Sequence, residues 1–329
     1  MRLAVIGASG FVGRHLVEHA IAADIDVVRI DRRPDTSRSR PQRERATQRV
    51  VPESASEATL RAALEGVDTA VHLAARVHQT GEHGPDLDAT YLHANRDLAL
   101  RWAVAAASTG VRRFVFVSSV KAVAERSTRP LDETCDARPE DAYGRSKLAA
   151  ERALGSDPRL ATLERVIVRP PLVYGPGVGA NFLQLMRLAQ LPIPLPLATA
   201  TAPRTMISVA NLADALLACA RDPRAAGGTY FVGDPRDVSA AWLIRELRRI
   251  SGRRAPLFAV PRAVLRAAAK LLGRADAVDR LFQPLQIDSS RIRAAIGWSP
   301  PQSTEGALAE TWAYFNAAQG RGSRGSGIS

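Results

Sequence analysis

The sequence predicts an α/β fold in which a doubly wound parallel sheet carries a smaller C-terminal lobe. Over residues 1–170, short apolar runs alternate with helical patterns, and the first run ends in a glycine-rich turn. After Pro170 the chain changes to Pro- and Gly-rich loops with shorter elements. Strands that alternate with helices favour parallel pairing through helical crossovers. A chain of 329 residues is long enough to bury a large core.

The first 170 residues supply the elements of that sheet in order. Short apolar runs bounded by turn residues indicate strands, and a 3.6-residue apolar period indicates helices. Glycines at 66 and 110 end two of the helical patterns, as glycine commonly does. We expect strands at 2–7, 26–30, 68–75, 112–119 and 164–170, helices at 11–22, 58–66, 88–109 and 142–154, and a solvated loop at 31–49.

Residues 171–319 are expected to form the smaller, substrate-binding lobe. Helical patterns occur at 238–251, 262–272 and 303–317. A strand–helix pattern at 204–220 and a strand at 228–233 interrupt this series, so residues 205–232 are expected to return to the first domain. The stretch 320–329 is expected to be a disordered tail, because its composition is rich in Gly and Ser.

The number and distribution of charged residues indicate which class of molecule the protein binds. Lys and Arg number 45 against 33 Asp and Glu, which gives a net charge of +12. A nucleic-acid-binding protein would gather these cations on one face or among aromatic residues. Here they are scattered, so we expect no nucleic-acid partner and an anionic substrate or cofactor instead.

Cysteine usage and hydropathy predict a reduced, cytoplasmic protein without membrane insertion. Cys135 and Cys219 form no CxxC pair and no disulfide framework. No His/Cys/acid spacing is typical of a metal site, so no metal is expected. The longest apolar stretch, 182–200, contains Arg187 and three prolines, which exclude a membrane-spanning helix.

The glycine-rich turn "GASGFVG" connects the first strand to the first helix. Gly7, Gly10 and Gly13 let the backbone turn tightly and approach a phosphate group. The helix that follows, starting at Phe11 and Val12, directs its N-terminal N–H groups at an anion. The sequence therefore predicts a pyrophosphate-binding turn for a dinucleotide.

The end of the second strand suggests which dinucleotide. Asp31 can hydrogen-bond the ribose hydroxyls of adenosine and would repel a 2′-phosphate, which favours NAD over NADP. Arg32 and Arg33 follow at once and could neutralise that repulsion, so NADP stays open.

Tyr143 and Lys147 form an acid–base candidate. The chain has only three lysines among its 45 cations, and one stands four residues after a tyrosine. That spacing places both side chains on one helix face. A nearby ammonium favours the phenolate, so we expect Lys147 to lower the pKa of Tyr143. Ser119 ends the fourth strand and could hydrogen-bond a carbonyl oxygen beside Tyr143, with Ser118 as the competitor.

Taken together, these motifs resemble the extended short-chain dehydrogenase/reductase family, also described as the NAD-dependent epimerase/dehydratase family. The similarity rests on the glycine turn, "HLAA" at 72–75, Asn95, the paired serines and YxxxK. It extends through "RPPLVYGPG" at 169–177 and "RTMISVANLADAL" at 204–216, and so covers nearly the whole chain.

The resemblance implies a Rossmann domain and assigns roles to individual residues. It implies a catalytic set of Ser119, Tyr143 and Lys147 with a supporting Asn95. It implies that NAD contacts Gly7, Gly10, Phe11, Val12, Gly13, Asp31, Arg32, Leu73, Ala74, Ala75, Tyr143, Lys147 and Pro170. It implies that a UDP diphosphate is held by Asn181 and Arg204. Arg76, at the ligand edge of the sheet, is a substrate contact or a solvent-facing loop residue.

Within the family, the chain is most similar to UDP-sugar 4-ketoreductases of surface-polysaccharide synthesis, a group that includes UDP-N-acetylquinovosamine dehydrogenase. The alternatives are a UDP-sugar 4-epimerase that retains NAD and a non-catalytic cofactor-sensing binder; a homodimer is left open. Val120 and Lys121 follow Ser119 where dehydratases have Asp-Glu, which argues against dehydration. "AVAE" at 122–125 replaces the "VYG" of epimerases, which favours the reductase.

Overall fold

A seven-stranded parallel sheet forms the centre of the molecule. The computed structural model describes residues 1–34, 45–77, 86–271, 273 and 275–324. The sheet has the strand order β3-β2-β1-β4-β5-β6-β9, and β7 pairs with β8 in a separate two-stranded sheet. The predicted doubly wound α/β fold is confirmed. The strands are β1 (Arg2–Ile6), β2 (Asp26–Asp31), β3 (Ala46–Val50), β4 (Thr69–His72), β5 (Arg113–Val117), β6 (Glu164–Arg169), β7 (Leu172–Tyr174), β8 (Met206–Ser208) and β9 (Thr229–Phe231).

Helices cover both faces of this sheet and build the second lobe. A π-helical segment, His93–Asp97, joins the third and fourth of them into one continuous rod. The helices are α1 (Phe11–Ala22), α2 (Glu57–Ala62), α3 (Leu87–Leu92), α4 (Leu98–Ser108), α5 (Ala142–Ser156), α6 (Ala180–Gln190), α7 (Val209–Arg221), α8 (Ala240–Ile250), α9 (Arg262–Leu271), α10 (Ala275–Leu281), α11 (Ser290–Ile296) and α12 (Thr304–Arg324).

Strand β1 shows why the apolar runs of the sequence are continuous rather than alternating. Leu3 and Val5 belong to the core cluster that includes side chains of α1 and α7. Ala4 and Ile6 belong to the opposite cluster, with side chains of α2, α4 and α5. Successive strand residues point to opposite faces, so a strand covered on both sides needs apolar residues at every position.

The edge strand β3 was missed by the sequence analysis. Residues 31–49 were expected to be a loop, whereas Ala46–Val50 pairs in parallel with β2; residues 35–44 lie outside the described part of the chain. The segment ATQRV has only two apolar residues, because most of its side chains lie on the surface. Backbone hydrogen bonds to β2 are sufficient to order such an edge strand.

The smaller lobe has its own core, built mainly from α6, α8 and α12. Its largest buried side chains include Phe182, Leu247 and Trp312. Two intervening elements belong to the sheet domain instead: α7 shares the core of α1, and β9 pairs with β6. The chain therefore crosses between the lobes more than once.

The C-terminal helix α12 extends further than expected. It continues to Arg324, so residues 320–324 are helical although their Gly/Ser-rich composition predicted disorder; residues 325–329 lie outside the described part of the chain. Lengthening an existing helix adds one hydrogen bond per residue without a new nucleation step, which offsets poor propensity.

Arg113 connects the start of β5 to the end of α7. Its side chain is fully buried, and its Nε and Nη2 donate to the Glu164 carboxylate at 2.8 and 2.6 Å. Its Nη1 donates to the carbonyl oxygen of Cys219 at 2.8 Å. Carbonyls in the last turn of a helix have no intrahelical donor, so one guanidinium both pairs an acid and caps α7.

We expect Arg113→Met to lower the free energy of unfolding by about 3 kcal/mol, because it leaves a carboxylate and a buried carbonyl without their donor. Urea unfolding of the full chain measures this loss. Arg159→Met is the matched control: it removes a surface pair with Asp157 and should change stability by less than about 1 kcal/mol. Equal losses in the two variants would contradict the role given to Arg113.

Candidate active site

The glycine turn after β1 forms a tight cradle at the N-terminus of α1. Gly7 has a positive φ of 88°, and a Cβ there would lie 2.9 Å from the amide nitrogen of Ala74. A Cβ at Gly13 would lie 2.3 Å from the carbonyl oxygen of Gly7. Gly10 is the N-cap and supplies no side-chain acceptor to the N–H groups of the first helical turn. Such a turn fits the pyrophosphate of a dinucleotide, as the sequence predicts.

Asp31 lies buried beneath this turn. Its Oδ1 accepts a hydrogen bond from the Ser9 N–H at 2.6 Å, and its Oδ2 accepts from Arg29 at 3.4 Å and Gln48 at 3.3 Å. The carboxylate therefore holds the turn in place, a role that the sequence did not suggest. Its ribose contact stays a prediction. So does the cofactor contact of Arg32, whose guanidinium pairs with Glu53 on the surface at 3.1 Å.

The segment after β4 lies directly beside the glycine turn. The N–H groups of Leu73 and Ala74 both donate to the carbonyl oxygen of Ile6, at 2.9 and 3.1 Å. Leu73, Ala74 and Ala75 are partly exposed at this edge. The structure thus brings these predicted cofactor contacts to the carboxyl ends of β1 and β4, where the strand order reverses. Open α/β sheets bind their ligands at this position.

Asn95 positions two parts of the site. It is fully buried in the π-helical segment, where it accepts from the Arg76 N–H at 2.8 Å and donates to the Arg76 carbonyl at 3.1 Å. It also donates to the hydroxyl of Ser146 at 2.9 Å, and that hydroxyl donates to the carbonyl of Tyr143 at 2.7 Å. The residue thus ties the segment after β4 to α5 and acts as a support.

Ser119, Tyr143 and Lys147 come together at the carboxyl end of β5. The ammonium of Lys147 donates to the carbonyl oxygen of Val117, the last residue of β5, at 2.8 Å. It lies 6.0 Å from the centre of the Tyr143 ring, so the two side chains share one face of α5. Ser119 lies close enough to the Tyr143 hydroxyl to act on its pKa through a hydrogen bond. These three residues therefore form one polar site.

Ser119, and not Ser118, is the partner of Tyr143. Ser118 is buried, and its hydroxyl has no hydrogen-bond partner among the residues that the structure describes. The loop after Ser119 is fixed by a hydrogen bond from the Val120 N–H to the carbonyl of Pro170, at 2.9 Å. Pro170, a predicted cofactor contact, is thereby placed next to Ser119, the predicted catalytic serine.

Burial sets the protonation of both functional groups on α5. It raises the pKa of Tyr143 to about 12, against the opposing effect of the hydrogen bond from Ser119. It lowers the pKa of Lys147 to about 7, against the attraction of Glu151. The expectation that Lys147 lowers the pKa of Tyr143 is therefore wrong. Desolvation of the phenol is the largest cause of its shift, and burial also drives the ammonium of Lys147 toward its neutral form.

An ion cluster next to Tyr143 was missed by the sequence analysis. The Lys121 ammonium lies 2.7 Å from the Asp141 carboxylate and 3.4 Å from that of Glu125. Asp141 also N-caps α5 by accepting from the Gly144 N–H at 2.6 Å. Burial opposes its ionisation, but the bond from Lys121 keeps the pKa of Asp141 below its ordinary value. The scarcity of lysine was a signal for Lys121 as well as for Lys147.

Tyr91 is a second residue that the sequence did not reveal. Its ring meets the Tyr143 ring edge to face with 6.4 Å between centres, and its hydroxyl donates to the carbonyl of Val77 at 3.2 Å. The guanidinium of Arg76 lies 5.6 Å from the centre of the Tyr91 ring. Arg76 is therefore held near the site, and its contact with substrate stays a prediction.

His72 is a packed, buried residue at the end of β4. Its ring lies 5.8 and 5.9 Å from the rings of Phe114 and Phe116. Burial, reinforced by the charge of Lys147, lowers the pKa of His72 to about 3. The imidazole of His72 is therefore neutral at physiological pH and adds no positive charge near Lys147.

The two predicted diphosphate contacts lie in the smaller lobe. Asn181 is in the first turn of α6, and its contact stays a prediction. Arg204 precedes β8, and its Nη1 donates to the carbonyl oxygens of Gln283 at 2.8 Å and Arg280 at 3.1 Å. Burial lowers the pKa of this guanidinium. Arg204 therefore also caps the end of α10.

We expect Lys147→Met to abolish activity and yet to stabilise the fold by about 2 kcal/mol at pH 7. In the unfolded chain the ammonium keeps its proton up to about its ordinary pKa, whereas burial lowers the folded pKa of Lys147 to about 7. The unfolded state therefore binds more protons between these values, and wild-type stability rises with pH across that window. The substitution removes this slope.

Urea unfolding at pH 7 and pH 9.5 measures the difference between wild type and variant. The stability advantage of Lys147→Met should shrink at the higher pH. Lys270→Met, at an exposed lysine, is the control and should shift stability by less than about 0.5 kcal/mol. A Lys147→Met protein that is less stable than wild type at pH 7 would show that the ammonium is structural.

The sequence of the chain is similar to a known protein family and to individual proteins of known activity. Residues 3–233 match the family model described as NAD dependent epimerase/dehydratase family. A UDP-glucose 4-epimerase of Vibrio cholerae is 35% identical over 261 residues, which are 78% of this chain and 80% of that protein. An Escherichia coli O157:H7 protein, N-acetyl-alpha-D-glucosaminyl-diphospho-ditrans,octacis-undecaprenol 4-epimerase, is 28% identical over 261 residues, 78% of this chain and 74% of its own.

The fold is shared with a solved structure over almost its whole length. The UDP-glucuronic acid 4-epimerase of Bacillus cereus, in complex with NAD, has a TM-score of 0.77 and 19% sequence identity. The match covers 97% of this chain and 99% of that one. The family match, the 35% identical relative and the glycine cradle together identify the chain: it belongs to the NAD-dependent epimerase/dehydratase family of enzymes.

Proposed function

We propose that the protein is an NAD(P)-dependent reductase of the 4-keto group of a UDP-hexose in surface-polysaccharide synthesis. The observation that carries this proposal is the placement of Ser119, Tyr143 and Lys147 together at the carboxyl end of β5, where burial raises the pKa of Tyr143 to about 12. A phenol with so high a pKa keeps its proton at neutral pH, and the protonated form is the one that a ketone reduction needs. Oxidation of an alcohol would need the phenolate first.

Each residue of the site has a task in such a reduction. NAD(P)H, when bound, supplies the hydride that the sugar C4 receives. Ser119 donates a hydrogen bond that orients the C4 carbonyl oxygen, and Tyr143 gives this oxygen its proton. Lys147, close to both the phenol ring and the end of β5, offers a donor to ribose hydroxyls.

We assign the binding of the diphosphate and of the sugar to further residues around this site. Arg204 and Asn181 are the proposed diphosphate contacts, and a guanidinium suits phosphate oxygens because its donors form a planar fork. The ion cluster of Lys121, Glu125 and Asp141 includes Glu125, which belongs to the segment 122–125 that replaces the "VYG" of epimerases. Its charged groups are suited to hydrogen-bond the hydroxyl or amide substituents of the sugar.

A UDP-sugar 4-epimerase is the second candidate, and the V. cholerae relative at 35% identity favours it. The same residues would then act twice, first in oxidation and then in reduction at C4. Stoichiometric consumption of NADH or NADPH with a UDP-4-keto-sugar supports the reductase. Interconversion of UDP-hexoses without net redox change supports the epimerase. The E. coli relative adds an undecaprenyl-diphosphate-linked sugar to the panel of substrates to be tested.

We expect Tyr143→Phe to reduce turnover by about 100- to 10,000-fold, because it removes the proton donor and leaves the ring in place. Single-turnover assays with saturating cofactor and UDP-4-keto-sugar measure the loss. Calorimetry should show unchanged cofactor affinity. A variant that loses turnover while it keeps cofactor binding excludes a non-catalytic cofactor sensor, whereas full turnover would remove Tyr143 from the mechanism.

We expect Gly13→Ala to weaken NAD binding by at least about tenfold, because its Cβ would collide with the Gly7 carbonyl and force the pyrophosphate turn open. Isothermal titration with NAD measures the affinity. Gly155→Ala is the matched control: it adds the same atom inside α5, where no atom lies within 4 Å, and affinity should not change. Unaltered affinity in Gly13→Ala would place the dinucleotide elsewhere.

A further inference from the structure

Helix α9 presents an entirely apolar face to solvent. Ala263, Val264, Ala267, Ala268 and Leu271 are all exposed and recur at helical spacing on one side. The two large members are 57% exposed at Val264 and 89% exposed at Leu271. Large apolar side chains grouped on one exposed surface mark an interaction site more often than chance exposure does.

The opposite side of α9 is the side that packs on the protein. Leu265 and Ala269 are partly buried there. Arg262 and Arg266 both pair with Asp279 of α10, at 2.7 and 2.9 Å. The ion pairs thus fix the rotation of α9 and turn its apolar side outward.

Two other segments also expose large apolar side chains, and one of them leads directly into α9. Leu191, Ile193 and Phe258 are also exposed large apolar residues. Their two segments are hydrogen-bonded to one another, since the Phe258 N–H donates to the Leu195 carbonyl at 3.0 Å. The second segment then leads into α9. We refer to Leu191, Ile193, Phe258 and the outward face of α9 as the apolar docking surface.

The chain around this surface is strongly basic. Between residues 253 and 282 the sequence has seven Arg or Lys residues and two Asp residues. Arg253 and Arg254, which precede α9 in the chain, and Lys270 within it are exposed. An apolar helix face flanked by cations is the pattern of helices that lie in the interface of a bilayer containing anionic lipids.

We propose that the apolar docking surface binds the surface of an anionic lipid bilayer. Among the described residues, no helix has the length and hydropathy to cross a membrane. The proposed contact is therefore peripheral, with α9 lying parallel to the bilayer plane. A second copy of the chain fits the surface less well, because pairing two copies would bring two sets of like charges together.

The surface is mechanically linked to the proposed substrate site. Arg204, the proposed diphosphate contact, donates to the carbonyl oxygens of Arg280 and Gln283 at the end of α10. Helix α10 in turn holds α9 through Asp279. Docking would therefore place α9 on the lipid surface while α9 stays connected to Arg204 through α10. The docking proposal does not depend on which sugar the enzyme reduces.

The test is co-sedimentation of the full chain with vesicles of phosphatidylglycerol and phosphatidylethanolamine, compared with phosphatidylcholine alone. We expect wild type to bind the anionic vesicles and to be released by high salt. The double variant Val264→Asp with Leu271→Asp should bind at least about tenfold more weakly, because it places charge on the apolar face. Lys270→Glu should weaken binding to the anionic vesicles.

The matched control is Tyr314→Asp, which changes a 51% exposed large side chain on α12 and should leave vesicle binding unchanged. Unaltered NAD affinity and urea unfolding verify that each variant is folded. The proposal is overturned if wild type ignores anionic vesicles, or if the double variant binds them as wild type does. It is also overturned if light scattering finds a wild-type dimer that the double variant loses while neither protein binds lipid.

Discussion

The site depends on an ammonium group that the fold buries against the end of a strand. Lys147 is 2% exposed, and its one hydrogen-bond acceptor among the described residues is the carbonyl of Val117. Keeping a lysine in such surroundings destabilises its charged form, which is why burial lowers the pKa of Lys147 to about 7. A packed apolar residue would be more stable at this position. The cost is understandable only if the group serves a ligand or a reaction.

Helix α5 is held at three points so that Lys147 and Tyr143 stay in register with the sheet. Asp141 caps its start and pairs with Lys121. Farther along the helix, the hydroxyl of Ser146 accepts a hydrogen bond from the amide of Asn95. The carboxylate of Glu151 forms a bidentate ion pair with Arg169 of β6. Each contact reaches a different element of the fold. The helix therefore cannot shift or rotate without breaking several buried polar interactions, and such preorganisation is what proton transfer requires.

The sequence alone predicted the parts of the site that are local in the chain. The glycine turn, the Tyr143–Lys147 spacing and Ser119 at a strand end each follow from backbone geometry over a few residues. The ion cluster of Lys121 and Asp141 was not predictable in this way, because its partners are twenty residues apart and meet only when the loop after β5 folds onto α5. The upward shift of the Tyr143 pKa was not predicted for a related reason. Desolvation depends on the packing of Tyr91 and other neighbours that are distant in the chain, and the spacing of residues in the sequence does not reveal this packing. Strand β3 was missed because an edge strand needs little apolar sequence.

The π-helical segment around Asn95 has a consequence for how this protein can change over evolutionary time. One extra residue in a helical turn rotates everything that follows by roughly 100° relative to an uninterrupted helix. Tyr91 and Asn95 are directed at the site before and within the segment, while Trp102 fills the core after it. Substitutions at exposed positions of the segment leave this rotation unchanged. Deletion of one residue between positions 93 and 97 would instead convert the segment into a regular α-helix. Either the amide of Asn95 or the indole of Trp102 would then be rotated out of its place. We therefore expect selection to remove changes in length at this point even where it accepts substitutions.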